Sequence, residues 1–149
     1  MPIFFWNSRY AIGIPQIDDH HRHLLHLLNK TYDSFITGAL QEEIGLLLDE
    51  LIDYAIYHFF TEERWMREHG YPDSQQHMLE HEQFSLRITE IYDDFCKGKK
   101  ALSLEVLSFL HTWLATHIME QDAELGYFYK NSQRASLFEE SEPNRINMS

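Results

Sequence analysis

The sequence predicts an all-α protein, an antiparallel up-down-up-down four-helix bundle with an N-terminal extended arm. Two observations support this fold class. Apolar residues recur at helical spacing in four long segments, and only short connections separate these segments. Short connections make neighbouring helices antiparallel, and 149 residues are enough for one domain with a single core. The helices are predicted over residues of about 18–37, 41–69, 74–97 and 103–131.

Both ends of the chain lack the helical pattern. Residues 1–16 mix large apolar side chains with Gly and Pro, which indicates an arm whose Trp6 covers one end of the core. Residues 132–149 contain few large apolar groups and are predicted to form a flexible tail or a linker. We therefore expect one domain over residues 1–131.

The first helix is predicted to begin at Asp18, because an acidic side chain there can accept hydrogen bonds from free N–H groups. His21 lies on its apolar line, where an imidazole needs a polar partner. Three further histidines recur at every third position and drift towards the polar side of the helix. Their pattern is typical of solvated surface residues: His20, His23 and His26.

The second and third helices each carry two potential metal ligands four residues apart. His58 and Glu62 lie on the core line of the second helix, and His77 and His81 lie on that of the third. Residues four apart share one helix face, so each pair points in one direction. A buried carboxylate costs several kcal/mol unless a cation or hydrogen bonds compensate it, so Glu62 favours a metal over a buried Arg or His partner.

The fourth helix supplies His117 and one carboxylate, but its spacing does not select the carboxylate. Glu120 and Glu124 are closer to the direction of His117 than Asp122 is, because Asp122 follows five residues after the histidine. On spacing alone, Asp122, Glu120 and Glu124 all stay candidates for the carboxylate of the fourth helix.

Composition excludes several classes of function. The chain has 12 Lys and Arg against 24 Asp and Glu, a net charge of −12 that would repel nucleic acid. Its one cysteine, Cys96, cannot form an intramolecular disulfide, and no secretory signal pattern opens the chain. No apolar run approaches the roughly 18 residues needed to span a bilayer. A cytoplasmic protein without membrane contact is therefore expected.

Seven potential ligands on the core lines suggest a pair of irons. Seven ligands are more than a tetrahedral zinc ion binds and fewer than two saturated octahedral ions need. They fit two irons that share carboxylate ligands and leave one coordination position open. No Glu is followed by a His three residues later, which argues against the carboxylate-rich di-iron oxidases. The set consists of one acid from the fourth helix with His21, His58, Glu62, His77, His81 and His117.

Five segments together carry a resemblance to a known family. They are residues 13–21, 58–66, 70–72, 77–81 and 113–122. On these segments the chain resembles a hemerythrin-like protein of the bacterial type, the bacteriohemerythrin family, over nearly all of residues 6–129. The up-down bundle expected for this family agrees with the fold predicted from periodicity.

The resemblance implies two iron ions (Fe²⁺/Fe³⁺) with a bridging oxo or hydroxo group. It implies that one iron is held by three histidines and the other by two, and that two carboxylates bridge them. It also points to Asp122 as the acid of the fourth helix. His20 stands where many relatives have Gln, but the core line favours His21 as the ligand. The implied ligands are His77, His81 and His117 on one iron, His21 and His58 on the other, and Glu62 and Asp122 as bridges.

The resemblance further implies reversible binding of dioxygen, as hydroperoxide, at the open position of the iron held by His21 and His58. No side chain would act as acid, base or nucleophile, so no enzyme activity is expected. A dry apolar pocket would protect the bound gas, although its residues also suit ordinary core packing. The implied pocket residues are Leu24, Phe59, Trp113, Leu114 and Ile118.

Two alternatives share the same ligands. In one, the domain senses oxygen or redox state and acts on a fused or separate signalling partner, with residues 132–149 as the linker. In the other, the di-iron site reduces peroxide or nitric oxide, which would need solvent access and an electron donor. The sequence does not choose between a carrier and a sensor.

Overall fold

Helices form almost all of the described chain. The computed structural model describes residues 6, 8–98 and 104–141. The predicted four-helix bundle is confirmed, and its fourth helix is composed of α4, a π-helical segment and α5 in direct succession. The elements are a 3-10 turn at Ser8–Tyr10, α1 at Pro15–Ile36, α2 at Gln41–His69, α3 at Ser74–Cys96, α4 at Leu104–His117, the π segment at Ile118–Asp122, and α5 at Ala123–Ser141.

Two apolar clusters fill the interior. The larger one unites α1, α2, α3 and α4 and includes Leu24, Leu28, Leu48, Leu51, Ala55, Phe59, Phe84, Ile88, Leu107, Leu110 and Leu114. The smaller one joins the arm to the other end of the bundle and consists of Ile12, Ile14, Ile17, Met66, Tyr71 and Leu125.

Polar side chains lie between these clusters. On α1, His21 stands between Ile17 of the smaller cluster and Leu24 of the larger one. On α2, Glu62 likewise lies between Phe59 of the larger cluster and Met66 of the smaller one. On the fourth helix, Asp122 lies between Leu114 of the larger cluster and Leu125 of the smaller one. Apolar residues therefore close off the polar layer from both ends of the bundle.

Helix α1 begins at Pro15, earlier than the predicted start at Asp18. Proline suits the first turn, because its fixed φ is helical and no N–H is lost from the hydrogen-bond ladder. The Asp18 carboxylate instead accepts hydrogen bonds from the arm, at 2.7 Å from the Ile12 N–H and 3.2 Å from the Gly13 N–H. The acid expected to cap the helix thus fastens the arm to it.

The arm also lies directly against α5. A Cβ atom at Gly126 would overlap the backbone carbonyl of Ile12 and approach the Ile12 Cβ to 2.8 Å. Glycine is therefore the residue that lets the arm backbone reach the helix at this point.

Helix α5 continues to Ser141, so the predicted helix end near residue 131 is wrong. That end was predicted because large apolar residues become sparse, but no Gly or Pro interrupts the chain before Pro143. The role of residues 132–149 as tail or linker stays a prediction, and residues 142–149 lie outside the described part. Within the described ranges, no helix has both the length and the apolar character needed to cross a bilayer.

Candidate metal centre

Seven buried side chains from all four bundle helices converge between the two apolar clusters. None is more than 3% exposed. The helical pairs predicted from sequence contribute four of them, because residues four apart share a face. The seven are His21, His58, Glu62, His77, His81, His117 and Asp122.

The side chains form two groups that share their carboxylates. Within each group the potential ligand atoms all lie within 4.8 Å of one another. Glu62 and Asp122 belong to both groups. One group adds His77, His81 and His117, and the other adds His21 and His58.

Each shared carboxylate directs one oxygen to each group. Glu62 Oε1 lies 2.9 Å from His77 Nε2, while Oε2 lies 2.7 Å from His58 Nε2. Asp122 Oδ1 lies 2.9 Å from His77 Nε2, while Oδ2 lies 2.9 Å from His21 Nε2. Two carboxylates placed in this way can bridge two adjacent cations.

Several of these atoms are buried without a hydrogen bond. They include His21 Nε2, Glu62 Oε2 and both oxygens of Asp122. Buried polar atoms that stay unpaired cost free energy, whereas convergent imidazole nitrogens and carboxylate oxygens are common ligands of iron. The donor set therefore fits metal ions.

Charges within the layer shift its protonation strongly. Burial opposes ionisation of Glu62, but His58, His21 and His77 outweigh burial and hold its pKa well below the usual value. The pKa of Asp122 is lowered for the same reason, by His117 and His21 against burial and the charge of Glu62.

The histidines divide into two kinds. Burial lowers the pKa of His21 and His77, but the carboxylates of Asp122 and Glu62 outweigh it and raise both pKa values to about 10. For His58, burial dominates over Glu62 and the pKa is lowered. Without a metal, protons on His21 and His77 thus balance the two carboxylates.

The π-helical segment explains why Asp122 joins His117. In a regular α-helix the fifth residue after His117 would point away from it. The backbone of Ile118–Asp122 is π-helical, with hydrogen bonds that reach one residue further, so a residue five positions on returns to the same face. Asp122 is buried, while Glu120 and Glu124 are exposed. Spacing rules for α-helices could not reveal this bulge.

The outward ring nitrogens of four histidines have nearby partners. His21 Nδ1 donates to the backbone carbonyl of Tyr10 at 3.4 Å. Glu80 Oε1 accepts a hydrogen bond from His117 Nδ1 at 3.4 Å, and Glu63 Oε2 lies 3.6 Å from His81 Nδ1. His20 Nδ1 lies 3.0 Å from His58 Nδ1. Such partners orient metal-ligating imidazoles.

The predicted surface position of His20 is wrong. Its side chain is 6% exposed, because it faces α2 and packs beside Tyr54 and Tyr57 at ring distances of 5.6 and 5.2 Å. His26 is exposed as predicted, and His23 is half-buried against Tyr54. Apolar periodicity missed His20 because its neighbours are aromatic and polar.

A small cavity adjoins the group that contains His21. Three of the five predicted pocket residues line it, Leu24, Leu114 and Ile118. Sequence reasoning missed the rest of the lining, which comes from the arm, from α1 and from α4: Trp6, Tyr10, Leu25, His111 and Ala115.

The other two predicted pocket residues pack elsewhere. Phe59 stacks on His81 with ring centroids 4.0 Å apart, and Trp113 stacks on His117 at 4.7 Å. Both rings lie on the sides of α2 and α4 that face α3. They therefore cover the group that contains His77, His81 and His117, which is called the three-histidine group below.

The arrangement matches a known domain. The Hemerythrin HHE cation binding domain model matches residues 12–128. The chain belongs to the hemerythrin family. It is 31% identical over 127 residues to a bacteriohemerythrin of Methylococcus capsulatus, covering 85% of this chain and 96% of the relative. It is 34% identical over 130 residues to a bacteriohemerythrin of Clostridium acetobutylicum, covering 82% and 98%.

Solved structures agree with this membership. A crystal structure of wild-type hemerythrin aligns with a TM-score of 0.80 and 30% identity, covering 83% of this chain and 95% of that one. As a hemerythrin, the chain is a non-haem di-iron protein that binds dioxygen. These predictions from the sequence are confirmed.

Proposed function

We propose that the seven side chains hold the two irons as a bridged pair. His77, His81 and His117 would hold one iron, and His21 and His58 the other. The observation that carries this assignment is the division of each carboxylate, with one oxygen of Glu62 and of Asp122 towards each group. The second iron would receive one protein ligand fewer than the first, so its coordination would be open.

The cavity next to His21 supports gas binding at that open position. When bound, the iron pair supplies the electrons and the coordination site that dioxygen needs. Leu24, Leu114 and Ile118 present only hydrocarbon to the cavity, which limits the entry of water and keeps the bound gas from reacting with it. We therefore propose reversible binding of dioxygen, for storage or delivery.

A second candidate is an oxygen or redox sensor. It is favoured by α5, which continues to Ser141, beyond the end of the domain match at residue 128. A helix that begins beside Asp122 and extends past the domain match can transmit a change at Asp122 to a fused or separate signalling partner.

One experiment separates the candidates. The reduced protein is prepared without oxygen, its iron is counted, and its absorption spectrum is followed in air and then under argon. A band that appears with air and disappears under argon, with two irons per chain, supports the carrier. Rapid and irreversible conversion to the ferric form supports the sensor. A wild-type chain without two irons contradicts the ligand proposal.

A further inference from the structure

The environment of His58 differs from that of the other candidate ligands. Its Nε2 points inwards, 2.7 Å from Glu62 Oε2, and its Nδ1 points outwards to His20 Nδ1 at 3.0 Å. Both rings are buried. A second imidazole is therefore the hydrogen-bond partner of this ligand.

The contact determines which nitrogens carry protons. A metal on His58 Nε2 takes the lone pair of that atom, so the proton of the neutral ring is on Nδ1 and is donated outwards. His20 Nδ1 must then accept, and the ring proton of His20 is on its Nε2. A proton on both facing nitrogens would set two donors 3.0 Å apart. His20 thus acts as a neutral acceptor.

Neighbouring aromatic rings hold His20 in this role. Tyr54 meets the His20 ring edge-on, with centroids 5.6 Å apart, and Tyr57 lies 5.2 Å away on the same helix face. A ring packed in this way has few alternative rotamers. Its nitrogen therefore defines the orientation of His58.

The two groups of ligands differ in the charge behind them. Glu80 and Glu63 stand behind His117 and His81 of the three-histidine group. His21 and His58 of the other group have the Tyr10 carbonyl and His20, which are both neutral. A carboxylate behind an imidazole increases its basicity and favours the more oxidised metal, whereas a neutral acceptor does so less.

We propose that His20 is a positioning residue for the two-histidine iron. It fixes the ring and tautomer of His58 and keeps negative charge away from that side of the centre, which favours the ferrous state needed to bind dioxygen. The inference rests on the ligand set proposed above.

Three substitutions of His20 test the inference. His20→Leu removes the acceptor, and we expect iron affinity to fall roughly 10- to 100-fold, the range typical for loss of such a partner. In His20→Gln the amide oxygen can accept the same hydrogen bond, so affinity should return towards the wild-type value. His20→Glu keeps an acceptor but adds charge, so we expect affinity to be retained and the midpoint potential to move to a more negative value.

The measurements use ferrous ion added anaerobically to the apoprotein in competition with a chelator, and redox titration of the loaded protein. His23→Leu is the matched control, because His23 also packs on Tyr54, at 4.3 Å, but its other ring contact is His26. Thermal unfolding of each apoprotein checks that the bundle has formed.

The outcomes separate this inference from the ligand proposal. A wild-type chain without two irons overturns the ligand set itself. Equal affinity and potential in wild type, His20→Leu and His20→Glu overturn the positioning role alone. Loss of an iron in His20→Gln, as severe as in His58→Ala, would mean that His20 is itself a ligand.

Discussion

At the scale of single residues, Glu62 has the most demanding position. It is 0% exposed, has histidines of α1, α2 and α3 around it, and belongs to both groups of potential ligands. A carboxylate in such a place is stable only with cations beside it. Its charge is therefore part of the reason why the imidazoles can be buried together.

Replacing Glu62 with Ala should abolish binding of both irons, because one bridging oxygen is lost from each group. The apoprotein should be destabilised by about 3–5 kcal/mol, since buried His21 and His77 would lose a charged partner. Iron analysis and chemical denaturation measure the two effects. Glu68→Ala, an exposed change on the same helix, is the control and should alter neither. Full iron content in Glu62→Ala would contradict the proposed bridge.

At the scale of secondary-structure elements, the π segment decides which acid enters the site. It adds one residue to the helical repeat between His117 and Asp122 without turning α5 away from the core. The insertion or deletion of one residue in this segment therefore rotates Asp122 about the helix axis by an angle that follows from the helical repeat.

Deletion of Met119 should convert the segment to a regular α-helix. His117 and Asp122 would then be four positions apart and would share a face, so iron should still bind. Insertion of one Ala after Met119 should instead rotate α5 by about 100° and remove Asp122 from the site. Iron content of the two variants tests this expectation. Better binding by the insertion variant would contradict it.

The contact between the arm and α5 is a second feature at this scale. Gly126→Ala should displace the arm, because the added methyl group overlaps the Ile12 backbone. We expect a loss of about 1–3 kcal/mol in the free energy of unfolding, the usual range for overpacking. Ser132→Ala, an exposed change on α5, serves as the control. Unchanged stability of Gly126→Ala would mean that the arm does not lie against the helix in solution.

At the scale of the whole molecule, the polar layer couples iron binding to the stability of the bundle. The pKa of His21 and His77 is raised to about 10 in the apoprotein, so their contribution to stability is complete below pH 6.5 and is lost as the pH rises towards 10. His58 and His20 act in the opposite direction, because burial lowers their pKa values and favours the neutral ring. Protonation of these two in the unfolded chain reduces stability below pH 6.5.

The apoprotein should therefore be most stable near pH 6.5 and lose stability on both sides. With iron bound, His21 and His77 have no proton to lose, so the decline above pH 6.5 should disappear. The difference in Tm between loaded protein and apoprotein should widen as the pH rises from 6.5 towards 10. Thermal unfolding of both forms across this range is the test, and a constant difference would contradict the expectation.

Much of this molecule follows from its sequence. Helix α2 begins and ends where predicted, and the pairs His58/Glu62 and His77/His81 face the interior as four-residue spacing requires. The early start of α1 was missed because Pro15 favours a helical first turn, although it precedes the apolar stripe. The length of α5 was missed because a stretch without Gly or Pro can stay helical after the apolar stripe has ended. The burial of His20 was missed because it depends on Tyr54 and Tyr57, which are distant in sequence.

The spread of the proposed ligands over all four helices also bears on how the protein is made. His21 and Asp122 are about a hundred residues apart, so a ribosome that adds roughly 5–20 residues per second needs several seconds to produce the last ligand after the first. During that time, the histidines that are buried in the folded protein lack Asp122, the proposed bridging ligand. Assembly of the complete iron pair must therefore follow synthesis of the fourth helix, when the whole bundle can close around the metal.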